Sequence, residues 1–253
     1  MKVYSLYFSP TGGTKKVMDT LAGEWKNKVE IDLSIPDKRY DVYRFVRGDV
    51  CLIGVPSFGG RVPEVALERL KQMKADQAAA VIVVAYGNRD YDDTILELRK
   101  AAEGCGFRVV AAVAAVAEHS IMHQFASGRP DAQDDKVLKE MADKVRQKLN
   151  KPDSWKDFFV PGRYPYKEYK GLPLKPVAQK ECRSCGLCAK QCPVQAIPVD
   201  NPSKTDENRC ISCMRCVAVC PGKARSISKA AVFAASLKMR KACSGRKEPE
   251  LFM

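Results

Sequence analysis

Long apolar runs are the first thing this 253-residue sequence lacks. Its longest, at residues 78–86 and 109–117, fall well short of the roughly 18 to 20 residues that a membrane-crossing helix needs. No membrane is expected as a partner, and both stretches suit buried strands. The opening residues reach Pro10-Thr11-Gly12-Gly13 without the apolar segment and small-residue cleavage site of an export signal, which predicts a cytoplasmic location. Histidine is scarce: His119 and His123 are the only two. Their i, i+4 spacing would make at most half a metal site, since a metal needs further ligands that the neighbourhood does not supply. Neither G-x-G-x-x-G nor G-x-x-x-x-G-K-S/T occurs, so neither common nucleotide-phosphate turn is present.

Acidic residues are scarce in one half only. Residues 1–150 carry 23 basic and 21 acidic side chains, whereas residues 151–253 carry 20 and 9. Such an excess suits a nucleic acid, an acidic partner protein, or compensation for bound anions. The basic residues are scattered through the second half with no recognisable reading helix, so nucleic acid is not expected, and a redox partner acidic at its docking face is.

Cysteine is plentiful, with eleven in all, and no export signal argues for disulfides. Eight of them form a repeat: Cys182-x-x-Cys185-x-x-Cys188-x-x-x-Cys192-Pro193 returns as Cys210-x-x-Cys213-x-x-Cys216-x-x-x-Cys220-Pro221. Three thiolates on one tight turn reach three corners of an iron-sulfur cube, and the fourth corner is met from elsewhere. Zinc is the alternative, because C-x-x-C pairs also build tetrahedral sites. Over roughly residues 178–225 the chain resembles the bacterial two-cluster ferredoxins. That resemblance implies two 4Fe-4S clusters with exchanged fourth ligands: Cys182, Cys185, Cys188 and Cys220 on one, and Cys210, Cys213, Cys216 and Cys192 on the other. Of the remaining three, Cys51 reads as a small core residue, and Cys105 and Cys243 have no role.

Residues 1–150 alternate strand-like and helix-like patterns, as in a parallel sheet covered on both faces. Strands are predicted at about residues 2–8, 29–33, 50–55, 79–86 and 108–116. Helical stripes fall between them, with Pro63 at the start of the second helix and Asp92-Asp93 at the start of the third. Residues 151–177 are rich in proline and aromatics and read as a linker that packs along a surface. Residues 226–253 read as a basic helix, expected over 226–242, and a charged tail.

After the first strand comes Ser9-Pro10-Thr11-Gly12-Gly13-Thr14. Free amides at a helix start, three hydroxyls and close-packing glycines suit a phosphate dianion, although such turns also serve as ordinary helix caps. The turn looks like the flavodoxin phosphate loop, S/T-x-T-G-x-T, with Ser9, Thr11, Gly12 and Thr14 on its motif positions. Two further loops fall where a flavodoxin holds its ring: Pro56, Ser57, Phe58, Gly59 and Gly60 after the third strand, and Tyr86, Gly87, Asn88 and Tyr91 after the fourth. Phe58 and Tyr86 or Tyr91 would flank an isoalloxazine or else anchor their loops. Arg61 and Arg89 would raise a flavin potential if turned inward.

The chain as a whole resembles flavodoxin-ferredoxin fusion proteins. The resemblance implies an α/β fold, in which a flavodoxin-like, doubly wound, five-stranded parallel sheet precedes a small α+β two-cluster ferredoxin domain. It also implies FMN beside the clusters, and an electron-transfer protein moving single electrons between them and a docked redox partner. A flavin-dependent reductase of a small molecule, a cluster-containing nucleic-acid sensor, and an N-terminal domain without flavin are the alternatives. Oligomeric state is left open by the sequence.

Overall fold

The computed structural model describes residues 1–253. Five parallel strands form its centre: β1 (Val3–Tyr7), β2 (Val29–Asp32), β3 (Val50–Pro56), β4 (Ala79–Tyr86) and β5 (Arg108–Val116). They lie in the order β2-β1-β3-β4-β5, with Tyr4 opposite Val29, Ser5 opposite Leu52, Ile53 opposite Ile82 and Val83 opposite Val113. This is the flavodoxin-like order, which reverses direction between β1 and β3 and opens a crevice at the carboxyl ends of those strands.

Strands β3, β4 and β5 are nearly unbroken apolar runs because helices cover both their faces. On one face Ile53 and Ile82 pack with α2 (Glu64–Lys71) and α3 (Thr94–Gly104) through Leu70 and Leu98. On the other, Leu52 and Val81 meet α1 (Gly13–Leu21) and α4 (Ala132–Leu149) through Val17 and Leu138. Each of these fully buried side chains contributes about 1.5 to 3 kcal/mol relative to exposure. The start of α4 is fixed by Asp131 and Asp134, which form a reciprocal capping box.

The five-stranded expectation needs one correction. The charged tail returns to the sheet, where β6 (Glu250–Phe252) pairs antiparallel with β5, Leu251 lying opposite Val113. It covers what would otherwise be an open edge. Tyr91 donates to Glu250 Oε1 at 3.2 Å, and Arg129 Nη1 donates to the Lys247 carbonyl at 2.7 Å, which ties the tail down on both sides of its proline.

The aromatic segment after α4 packs on the N-terminal unit. Trp155 Nε1 donates to the Lys148 carbonyl at 2.7 Å, and Arg108 lies 5.0 Å from the Trp155 ring. Asp92 and Asp93 do stand at the start of α3, yet neither side chain caps it. The Asp93 carboxylate accepts from the backbone of Arg163 at 2.8 Å and Lys167 at 2.6 Å. The acidic pair therefore anchors the linker.

The C-terminal module holds two four-residue helices, α5 (Leu187–Lys190) and α6 (Arg215–Ala218), and a ribbon pairing Val177–Ala178 with Arg225–Ser226. The last helix, α7 (Lys229–Met239), is shorter than the expected 226–242: Ser226 belongs to the ribbon, and Ser228 Oγ caps the helix by accepting from the Ala231 amide at 3.3 Å. Its Val232 and Met239 pack against Ile121, Met122 and Met214. No helix is long and apolar enough to cross a membrane.

Candidate functional site

The turn from β1 into α1 leaves an anion cradle. Ser9 Oγ accepts from the Lys15 amide at 2.9 Å and the Ser9 amide donates to Ser34 Oγ at 2.8 Å, which fixes the loop. Gly12 sits at φ +92, a conformation that favours glycine, although a Cβ there would meet nothing within 4 Å. No side chain caps α1, and the amides of Thr11, Gly13 and Thr14 have no protein acceptor. Unclaimed amides at a helix start suit a phosphate.

A cavity of about 710 Å³, counting its open mouth, lies over this turn. It brings together Ser9, Pro10, Thr11, Gly13 and Thr14 with Pro56, Ser57, Phe58 and Gly59, and with Tyr86 and Gly87. Four residues expected there are not in its lining: Gly12, Gly60, Asn88 and Tyr91. Gly12 bends the loop from behind, and a side chain at Gly60 would run into the Asp92 carboxylate. The Asn88 amide donates to the carbonyls of Cys243 at 2.7 Å and Gly245 at 2.9 Å, so it holds the C-terminal segment. Tyr91 is buried edge-on behind Tyr86, 5.2 Å between ring centres.

Both loop arginines turn to other partners. Arg61 makes a two-pronged pair with Glu97 at 2.6 and 2.9 Å and lies 5.0 Å from the Tyr166 ring, while Arg89 pairs with Asp92. The cavity gains walls that the sequence did not announce. Glu118, His119, Ser120 and Ile121 come from the loop after β5, and Leu172, Ile211, Ser212 and Cys213 come from the other half of the chain. The two histidines part company: His119 lines the cavity, and exposed His123 pairs through Nδ1 with Glu118 Oε1 at 2.7 Å.

The repeated cysteines fall into two quartets. Cys182, Cys185, Cys188 and Cys220 line one cavity; Cys192, Cys210, Cys213 and Cys216 line a second. The backbone repeats with them. Ser184 and Ser212 have φ of 49 and 54, Gly186 and Met214 have 75 and 61, and Gln195 and Lys223 have 51 and 50. The amides of Ala196 and Ala224 donate to Cys192 Sγ and Cys220 Sγ, each at 3.2 Å. Burial pushes the Cys213 and Cys216 thiols up to about 12, so these sulfurs become thiolates only beside a strong positive charge, such as iron supplies. Four thiols around each pocket, with an amide aimed at a ligand sulfur, fit a 4Fe-4S cluster. Buried Arg225 lines the first of these pockets and is held by Thr205 Oγ1 at 2.6 Å and the Lys204 carbonyl at 3.1 Å. Cys51 is in the core as expected. Cys105 donates to the Leu70 carbonyl at 3.4 Å, and Cys243 is buried.

Contacts between the two halves gather at the second quartet. Arg69 donates to the carbonyls of Leu33 and of Pro193, each at 2.6 Å, and the Gln195 amide donates to Asp37 at 2.7 Å. Arg215 donates to the Pro10 carbonyl at 3.1 Å. Met214, in the left-handed region that L side chains avoid, is buried against Ile121 and Met122. In the first quartet, by contrast, Cys185 is the one exposed member of either set.

Residues 181–224 match the family of 4Fe-4S dicluster domains. The same region is 41% identical over 56 residues to a component of the ion-translocating oxidoreductase complex of Methanosarcina acetivorans, covering 22% of this chain and 21% of that protein. It is 40% identical over 67 residues to a ferredoxin of Pyrobaculum islandicum, covering 26% of this chain and 61% of that one. The chain thus spans about a fifth of the first relative and three fifths of the second. The N-terminal part overlays on oxidised flavodoxin 1 from Bacillus cereus with a TM-score of 0.40 and 14% identity, over 58% of this chain and 98% of that structure. At that score the flavodoxin-like assignment rests on the strand order itself.

Proposed function

We propose that the cavity holds FMN, its phosphate on loop 9–14, and that the chain passes single electrons between this flavin and two 4Fe-4S clusters. The observation that carries the reading is Cys213. This member of the second cysteine quartet lines the same cavity as Ser9, Thr11 and Tyr86, so the loop holding one cluster is also a wall of the flavin site. Clusters exchange electrons singly and a flavin takes one or two, which is the chemistry the bound groups supply.

Placement is the protein's part. Arg69, Arg215 and Met214 fix the second quartet against the N-terminal unit, which makes it the flavin-side quartet in this reading. The quartet with exposed Cys185 is the outward one. Exposed Lys180, Arg183 and Lys223 stand beside it in the chain with a single carboxylate, Glu181, and this rim suits a redox partner protein with an acidic docking face.

The test is the composition of anaerobically purified protein. The reading expects about eight irons per chain on the two-cluster pattern, together with one FMN, and flavin bands that bleach when a one-electron donor reduces the clusters. Zinc in place of iron would overturn the cluster half; full iron with no flavin uptake would overturn the FMN half.

A further inference from the structure

We propose that His119 is a built-in hydrogen-bond donor of the flavin cavity, its Nε2–H directed to an acceptor on the bound ring. The inference rests on the cavity being a flavin site and goes beyond it by giving one side chain a defined task.

Three contacts fix the imidazole. Nδ1 accepts from the Ile121 amide at 3.1 Å and from the Met122 amide at 3.2 Å. An atom accepting two N–H groups has no proton of its own, so the ring proton is on Nε2. The ring also lies against Gly87, where an added Cβ would come within 2.7 Å of His119 Cδ2, and edge-on to Phe125 with 6.3 Å between ring centres. Gly87 is therefore glycine because the imidazole occupies the space beside it.

Nε2 has no such engagement. It makes no hydrogen bond to the protein, yet it is not among the sealed, unpaired side-chain atoms, which are Ser5 Oγ, Asn88 Oδ1, Arg215 Nε and Arg225 Nε. A partly buried ring that lines the cavity, with its acceptor nitrogen fully used and its donor nitrogen neither paired nor sealed, presents that donor to the cavity's occupant. Burial lowers the ring's affinity for a second proton, to a pKa of about 4, so at neutral pH the group is a neutral donor and not a cation. Its neighbours in the cavity are the phosphate loop, Gly87 and Cys213, so a ligand seated there meets His119 and the second cysteine quartet together.

The test titrates FMN into flavin-stripped, cluster-replete protein and reads affinity and the visible bands of the bound flavin. His119→Phe keeps a flat ring and removes the donor. It is expected to weaken FMN about tenfold, the effect of one hydrogen bond of roughly 1.4 kcal/mol, and to shift the bands. His119→Gln places an amide N–H near the same point and is expected to restore affinity to within about threefold. Iron content and circular dichroism matching the native protein show that a variant is folded. A folded His119→Phe protein that binds FMN with native affinity and native bands overturns the role of His119 and leaves the flavin reading standing; native protein that takes up no FMN overturns both.

Discussion

Arg215 donates through Nη1 to the carbonyl of Pro10 at 3.1 Å. One side chain thereby joins the loop that carries Cys213 and Cys216 to the loop that begins α1. A hydrogen bond from a charged donor contributes about 1.5 to 3 kcal/mol, but Arg215 Nε is buried without a partner, which offsets part of that. Arg215→Met is therefore expected to reduce FMN affinity by about tenfold, the lower end of the range, with iron content unchanged. Fluorescence titration of the stripped protein measures it, and native affinity in the variant would make the contact incidental.

The two repeats diverge at one backbone position, where Gly186 and Met214 share the left-handed conformation. Holding a non-glycine residue there costs roughly 1 to 2 kcal/mol, whereas removing a buried methionine costs about 2 to 5. Met214→Gly relieves the first and forfeits the second, because Ile121 and Met122 lose their partner. The variant is expected to melt below the native protein under anaerobic conditions. Gly186→Ala, with open space around the new Cβ, should cost only the backbone strain and so lower melting less. A Met214→Gly protein that melts higher would show strain outweighing packing.

Most of the sheet was readable because β3, β4 and β5 are continuous apolar runs of seven to nine residues, a signal that burial on both faces imposes directly. β6 was not: Glu250-Leu251-Phe252 is too short to show a period, and its partner β5 lies more than a hundred residues earlier. The cysteine quartets were legible because the spacing of ligands is local, and the exchange of Cys192 and Cys220 between quartets stands as the resemblance implied. The cavity was half legible. Its phosphate turn and first loops are local motifs, but Leu172, Ile211 and Ser212 reach it only through the packing of one module on the other. Asn88 and Tyr91 misled because an amide and an aromatic in a loop suit a ring site and a tail anchor equally well; only the return of the C-terminal segment decides between them.

The exchanged fourth ligands make a further prediction. Cys220 stands in the second sequence run but lines the pocket of Cys182, Cys185 and Cys188. Cys220→Ala should therefore alter the electron paramagnetic resonance signal of the cluster on the first run, and Cys192→Ala that of the cluster on the second. Single substitutions within each run, Cys185→Ala and Cys213→Ala, identify which signal is which. If Cys220→Ala instead matched Cys213→Ala, each run would hold its own fourth ligand.

His119 also links stability to pH. Burial is the main cause of its depressed pKa of about 4, with the nearby positive charge of His123 adding to it and Glu118 pairing with His123. The unfolded imidazole takes its proton near 6.5, so between about 6.5 and 4 the unfolded state binds more protons than the folded one. Stability from this group is complete above that window and is lost as pH falls through it, by about 3 kcal/mol at most. Denaturant unfolding at pH 7.5 and 4.5 should show a smaller loss in His119→Gln than in the native protein. Equal losses would mean that the ring is protonated without penalty.

The C-terminal strand supports the last prediction. Removing residues 246–253 takes away the β6 ladder, the Arg246 contacts with Asp131 and Asp134, and the carbonyl that accepts from buried Arg129. It also leaves β5 as an open apolar edge, where another chain can add a strand. Leu251→Pro isolates the ladder from the ion pairs, since proline has no amide to donate. At about 2 to 4 °C for each kcal/mol in a chain of this size, and about 1 kcal/mol for each backbone hydrogen bond lost, the truncation should lower melting by about 5 to 10 °C. Leu251→Pro should fall between the truncated and native proteins. Light scattering should find dimers or larger species in the truncated protein at concentrations where the native chain shows no change in mass; a truncated protein with native melting and native mass would mean that the tail lies on the sheet without holding it.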